Sequence, residues 1–163
     1  MVNTFVPYSD MRRCVQVLDH KRLGKQRVEA SQILQVLEGK STGWANHPAT
    51  QMWAGYEDAL RHYLNLCIEE WVCRGYKNTM EKREVPERFE YPWWWGDEQM
   101  HRAHRSSLLE KAPEHYGEHF DKTLDQAPDG YLWPNTQLRK LETLSERRKR
   151  RGAERRASAK RVC

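Results

Sequence analysis

The apolar positions of this chain recur at helical spacing. Met52, Tyr56, Ala59, Tyr63 and Leu66 follow one another every three or four residues, and Trp53, Leu60, Leu64, Cys67 and Trp71 widen the stripe. That pattern predicts one long helix over about residues 48–74, with Asn46 or His47 as its cap, Pro48 in its first turn and Gly75 at its end. Upstream, Ser9 is placed to cap a helix from about 10 to 22, and Gly24 to bend or break it. Lys25 to Glu38 resumes helical spacing through Val28, Ile33, Val36 and Leu37, and Gly39 closes that stretch. Downstream, Gly96 and Asp97 open a third helix to about Lys111, and a short one covers Pro113–Phe120. Residues 40–47 and 77–92 read as loops, and Gln126–Pro134 as an irregular closing segment.

Composition supports the helical reading. Nine Val and two Ile are too few for a sheet-dominated fold, since strands favour β-branched residues. The expected fold is all-α: a compact single domain of three principal helices with long loops over 1–134, followed by a basic tail over 135–163. A chain of 163 residues buries enough surface to hold a core without disulfides or metal, and Cys14, Cys67, Cys73 and Cys163, which lack CxxC spacing, read as free thiols. No run of about 18 apolar residues is present, and MVNTFVPYSD lacks a signal-peptide pattern. A cytoplasmic monomer without membrane attachment is expected.

Charge sharpens the picture. The formal net charge of +5 divides unevenly: residues 139–161 carry eleven Lys or Arg against three Glu, whereas 1–138 carry seventeen basic against twenty acidic side chains. The tail suits a polyanion, adding affinity and salt dependence without sequence specificity, or it serves solubility.

Four groups of residues carry candidate chemistry. In the stretch from Asp19 to Glu29, Lys21, Arg22, Lys25 and Arg27 surround a carboxylate, which fits either a phosphate-binding face with a catalytic Glu29 or a solvated helix face with internal ion pairs. Trp93, Trp94 and Trp95 cannot all enter one core from a single helix face, so one of them, Trp94, is a candidate for stacking on an unpaired base; a loop plug over the core is the other reading. His101, His104 and Arg105 suit phosphate binding or proton transfer, with structural hydrogen bonding as the alternative. His115 and His119 stand at i,i+4, but no third metal ligand is signalled.

The ordered set Leu18-Asp19, Leu23, Glu29-Ala30, Gly43, His47-Pro48, Tyr63 and Arg74-Gly75-Tyr76 resembles the pyrimidine dimer DNA glycosylase family, the phage endonuclease V type. The resemblance implies an all-α fold with the N-terminal segment threaded against the helices. It implies a bifunctional enzyme on duplex DNA carrying a damaged or modified pyrimidine, with no metal or cofactor. In such an enzyme the terminal α-amine attacks the sugar carbon, a Schiff base forms, the base is expelled and β-elimination cuts the strand. The family's key carboxylate maps to Glu29, six residues after Leu23. The amine maps to Val2 once Met1 is removed. The family's arginine before the catalytic Glu is Val28 here, which leaves the phosphate contact to Arg27 or Arg22. Two other readings keep the fold: a noncatalytic nucleic-acid-binding protein, and a glycosylase for another modified base.

Overall fold

The first residues of the chain are extended, buried and unpaired with any strand. The computed structural model describes residues 2–127 and 130–162, and within it positions 2–7 are all buried. A buried extended segment still has to satisfy its backbone N–H and C=O groups. Here side chains from the surrounding helices do so, and this requirement organises much of the molecule.

Helix α1 spans Met11–Val17 and α2 spans His20–Leu37. The N-cap of α1 is Asp10, whose carboxylate accepts from Arg13 N at 3.2 Å; Ser9 does not serve. The helix expected to run to 22 stops earlier. Leu18 and Asp19 are extended, because Asp19 turns to Tyr116: its N–H donates to the Tyr116 hydroxyl oxygen at 3.1 Å and its carboxylate accepts from that hydroxyl and from Arg22. Gly24 is not the break. It lies inside α2, where an added Cβ would stand 3.1 Å from the Trp71 ring, so glycine here admits the close approach of a neighbouring helix. Gly39, at φ 77°, closes α2 as expected.

The stripe over 48–74 is two helices. Helix α3 covers Pro48–Gln51, capped by the His47 ring, which accepts from Ala49 N; helix α4 covers Glu57–Cys73. Between them the chain turns through Gly55 at φ 85°, and Trp53 points into the core with its indole N–H on Thr4 Oγ1 at 2.9 Å. Ala30, Ile33 and Leu34 of α2 lie in one core with Ala59, Leu60, Tyr63 and Leu64 of α4. Helix α5 runs Glu98–Lys111 behind an Asp97 cap, and α6 is a single turn over Pro113–Tyr116.

The C-terminal region departs most from expectation. Leu132–Asn135 (β1) pairs antiparallel with Lys140–Thr143 (β2), Trp133 opposite Glu142, so the fold is mostly helical with one small two-stranded sheet. The hairpin straddles the expected boundary at 134. Helix α7 then spans Leu144–Val162, within the stretch expected to be a basic tail. Its start is a reciprocal capping box: Thr143 N donates to Glu146 at 2.7 Å, and Glu146 N donates to Thr143 Oγ1 at 3.2 Å. Glu142, almost fully buried, ties the helix down through Arg150 at 2.9 Å and Arg147 at 3.7 Å. Arg147 also donates to Gln51 Oε1 and to the Asn46 carbonyl. Burial opposes ionisation of Glu142, but Arg150, Asn135 and Arg147 outweigh it and hold the carboxyl below its ordinary range.

Among the described residues no helix is long and apolar enough to cross a membrane. Cys14 and Cys67 are buried free thiols, Cys73 is exposed and free, and Cys163 lies outside the described residues.

Candidate active site

The backbone of residues 3–8 shows what its neighbours are for. Asn3 N–H donates to Glu29 Oε2 at 3.0 Å. Gln26, buried on α2 one turn earlier, donates to the Asn3 carbonyl at 3.1 Å and to Glu29 Oε2 at 3.3 Å, and accepts from Phe5 N at 2.8 Å. Tyr63 of α4 donates to the Phe5 carbonyl at 2.8 Å. Val6 N–H donates to His104 Nδ1 at 2.9 Å, and the Val6 carbonyl is 2.7 Å from His101 Nδ1. Because Gly96 N–H donates to His101 Nε2, the proton of that ring sits on Nδ1 and points at Val6. Arg105 donates to the Pro7 carbonyl at 2.7 Å.

These bonds account for four of the expected nucleic-acid contacts. His101 and His104 are almost completely buried and hold Val6. Arg105 is shielded and shared among Pro7, Asp125 and Glu98. Trp94 is fully buried, packed perpendicular to Trp53 at 5.1 Å, with its indole N–H on the Met52 carbonyl at 2.9 Å. All four are buried or shielded and bonded within the protein, which fits the loop-plug and structural readings. Trp94→Phe should cost about 1–3 kcal/mol, because the Met52 carbonyl is left unpaired in the core. DNA affinity should not change, which chemical denaturation and a binding titration would check together.

His104 makes this anchoring pH-sensitive. Desolvation pushes its pKa down to about 3, with His101 adding to the shift. The folded protein therefore keeps the ring neutral, whereas the unfolded chain protonates it near pH 6.5. Stability from this group is complete above about pH 6.5 and should fall as the pH drops toward 3. His104→Asn keeps an acceptor near the Nδ1 position and should flatten that acid slope in thermal melts.

What remains open to solvent is a pocket of about 290 Å3 beside the N-terminal segment, lined by Asn3, Lys21, Arg22, Lys25, Glu29 and Lys111 among others. The structure thus brings Glu29, Arg22 and Lys25 together, and sets Val2 one residue from the Glu29 contact with its side chain in the core. Met1 lies outside the described residues. Arg27 is elsewhere: its guanidinium lies over the Trp71 ring at 4.3 Å and donates to Asn78 at 2.6 Å. Val28, at the position of the family's arginine, is 46% exposed. Burial raises the Glu29 carboxyl above its ordinary range, with the Asn3 N–H and Lys25 pulling part of the way back. A raised carboxyl pKa is the direction that suits a proton-transfer group. His115 is bonded to the Val17 carbonyl at 2.8 Å, and no group of three His, Cys, Asp or Glu suited to a metal occurs among the described residues.

Sequence reasoning missed Gln26, Lys111 and Tyr131, whose hydroxyl exchanges hydrogen bonds with the Asn3 amide at 2.9 Å and 3.1 Å. Gln26 stands three residues before Glu29, on the same helix face; that spacing was its only signal.

The site is a half-buried carboxyl with several cations around it, beside the anchored N-terminal segment. The family model described as pyrimidine dimer DNA glycosylase matches residues 2–84, just over half of the chain, and the chain belongs to that family. No curated protein and no solved structure matches the chain.

Proposed function

We propose that the protein is a DNA glycosylase with abasic-site lyase activity, acting on damaged or modified pyrimidines in duplex DNA through the α-amine of Val2 after removal of Met1. The observation that supports the reading is the 3.0 Å bond from Asn3 N–H to Glu29 Oε2, one residue from the proposed amine. An α-amine has a pKa of about 7.7–8.0, so a usable fraction is neutral near pH 7. Its lone pair forms the new N–C1′ bond as the glycosidic bond breaks, and the base leaves with the bonding pair and a proton. The C1′–O4′ bond then opens, O4′ taking a proton as the nitrogen gives one up, and the sugar is held as a Schiff base; loss of a C2′ proton breaks the C3′–O3′ bond and expels the 3′ phosphate. Glu29 is assigned to stabilise the cationic sugar and to move these protons. Arg22, Lys25, Lys21 and Lys111 are assigned to the flanking phosphates. The buried side chain of Val2 would fix the amine, which positions it before the substrate arrives.

Val28 favours a second reading within the same chemistry. An exposed apolar residue where the family has a cation argues for a modified base other than the pyrimidine dimer. Duplexes carrying a pyrimidine dimer, single modified pyrimidines or no lesion, each offered with the α-amine free or acetylated, test both. Amine-dependent release from the dimer supports the first reading. Amine-dependent release from a modified pyrimidine alone supports the second. Release that survives acetylation contradicts both.

A further inference from the structure

We infer that the cleft between α7 and the body is a second nucleic-acid subsite, which takes an unpaired stretch of DNA strand. The cleft is about 960 Å3, toward the upper end of the range of ligand pockets, and large enough for more than one nucleotide. It lies against the Glu29 pocket, with Asn3 and Lys111 lining both. Helix α7, which forms its outer wall, lies beyond the family match.

The two faces of α7 do different jobs. Arg147 and Arg150 are held by the buried Glu142. Arg148, Arg151 and Arg155, spaced i, i+3 and i+7, line the cleft on one face and make no ion pair among the described residues. Three unneutralised guanidinium groups on one wall suit phosphates. Tyr131, Trp133 and His47 line the same cleft. Tyr131 and Trp133 lie 4.7 Å apart, the His47 ring meets Trp133 at 5.7 Å, and Trp44 meets His47 at 5.6 Å. Trp44 ends this row beside the cleft-lining His47, 51% exposed and at φ 64°. A tryptophan in left-handed backbone carries a conformational cost, and residues held in that way cluster at functional sites.

Phosphates beside aromatic rings define a nucleotide strand, and the rings decide which kind. A base pair in an intact duplex offers only its edges, whereas an unpaired base offers its π face. Trp44, the exposed ring of this row, therefore favours unpaired DNA. This subsite does not depend on the Schiff-base reading.

The test uses the full chain, a fluorescent twelve-residue oligo-dT and an undamaged twelve-pair duplex. Trp44→Ala, which keeps a Cβ and so keeps the backbone constraint, should weaken oligo-dT binding about 5- to 100-fold and change duplex binding less than twofold. Replacing Arg148, Arg151 and Arg155 by Gln should flatten the salt dependence on oligo-dT by about 0.7 per lost contact. Circular dichroism would verify that both variants remain folded. Equal losses on both probes, no loss on either, or tighter binding to oligo-rU than to oligo-dT would overturn the inference. A protein that binds oligo-dT through Trp44 yet forms no covalent adduct with abasic DNA would retain this subsite and lose the proposed chemistry. A protein that forms the adduct but binds oligo-dT equally well without Trp44 would keep the chemistry and lose the subsite.

Discussion

Glu29→Gln should leave the protein folded and DNA-binding but slow base release and strand cleavage by about 10²–10⁴. The glutamine oxygen can still accept from Asn3 N–H, which bonds Glu29 Oε2 at 3.0 Å in the native chain, so the N-terminal segment should stay in place. What is lost is the charge and the exchangeable proton. The substitution also has a sign in stability. Burial raises the folded pKa of Glu29, so its ionisation favours the unfolded state above the unfolded pKa, and that penalty vanishes as the pH falls below it. The variant should melt at or slightly above wild type at neutral pH, with the difference closing in acid. Single-turnover assays and melts at two pH values check both. Activity within a few-fold of wild type would remove Glu29 from the chemistry.

Gln26→Met should be the most damaging change outside the pocket chemistry. The two side chains have similar size, but methionine supplies neither the acceptor for Phe5 N nor the donor for the Asn3 carbonyl. Each buried backbone group left unpaired costs about 1–3 kcal/mol, so a loss of about 2–6 kcal/mol is expected. Tyr63 retains the Phe5 carbonyl and limits the collapse. Because Gln26 holds both the chain terminus and Glu29 Oε2, turnover should fall further than substrate affinity. A variant with full stability and full turnover would show that the terminus is positioned by other contacts.

Local signals in the sequence proved legible where they act locally. His47 and Pro48 start a helix, Gly39, Gly75 and Gly96 take positive φ, and Asp97 caps α5 as its pattern implies. Glu29 was singled out by its spacing from Leu23, which the family resemblance supplied. The misses have tertiary causes. The break at Leu18 and Asp19 is set by Tyr116, almost a hundred residues away. Trp94 and the two histidines of α5 look like ordinary surface candidates until the Met52 carbonyl and the buried N-terminal segment that they hold are in place. The β-hairpin hides behind Pro134 and a shortage of β-branched residues. The start of α7 was readable in Thr143 and Glu146, but the density of arginines after them masks a helix anchored by one buried glutamate.

The proposed chemistry rests on one nitrogen atom. Incubating the protein with abasic-site DNA under borohydride, digesting the reduced complex and locating the sugar remnant by mass spectrometry identifies that atom directly. The expected result is a chain that begins at Val2, with the remnant on its α-amine. A remnant on Lys21, Lys25 or Lys111 would contradict the α-amine mechanism while leaving a lysine-based lyase, and the absence of any adduct would contradict lyase chemistry altogether.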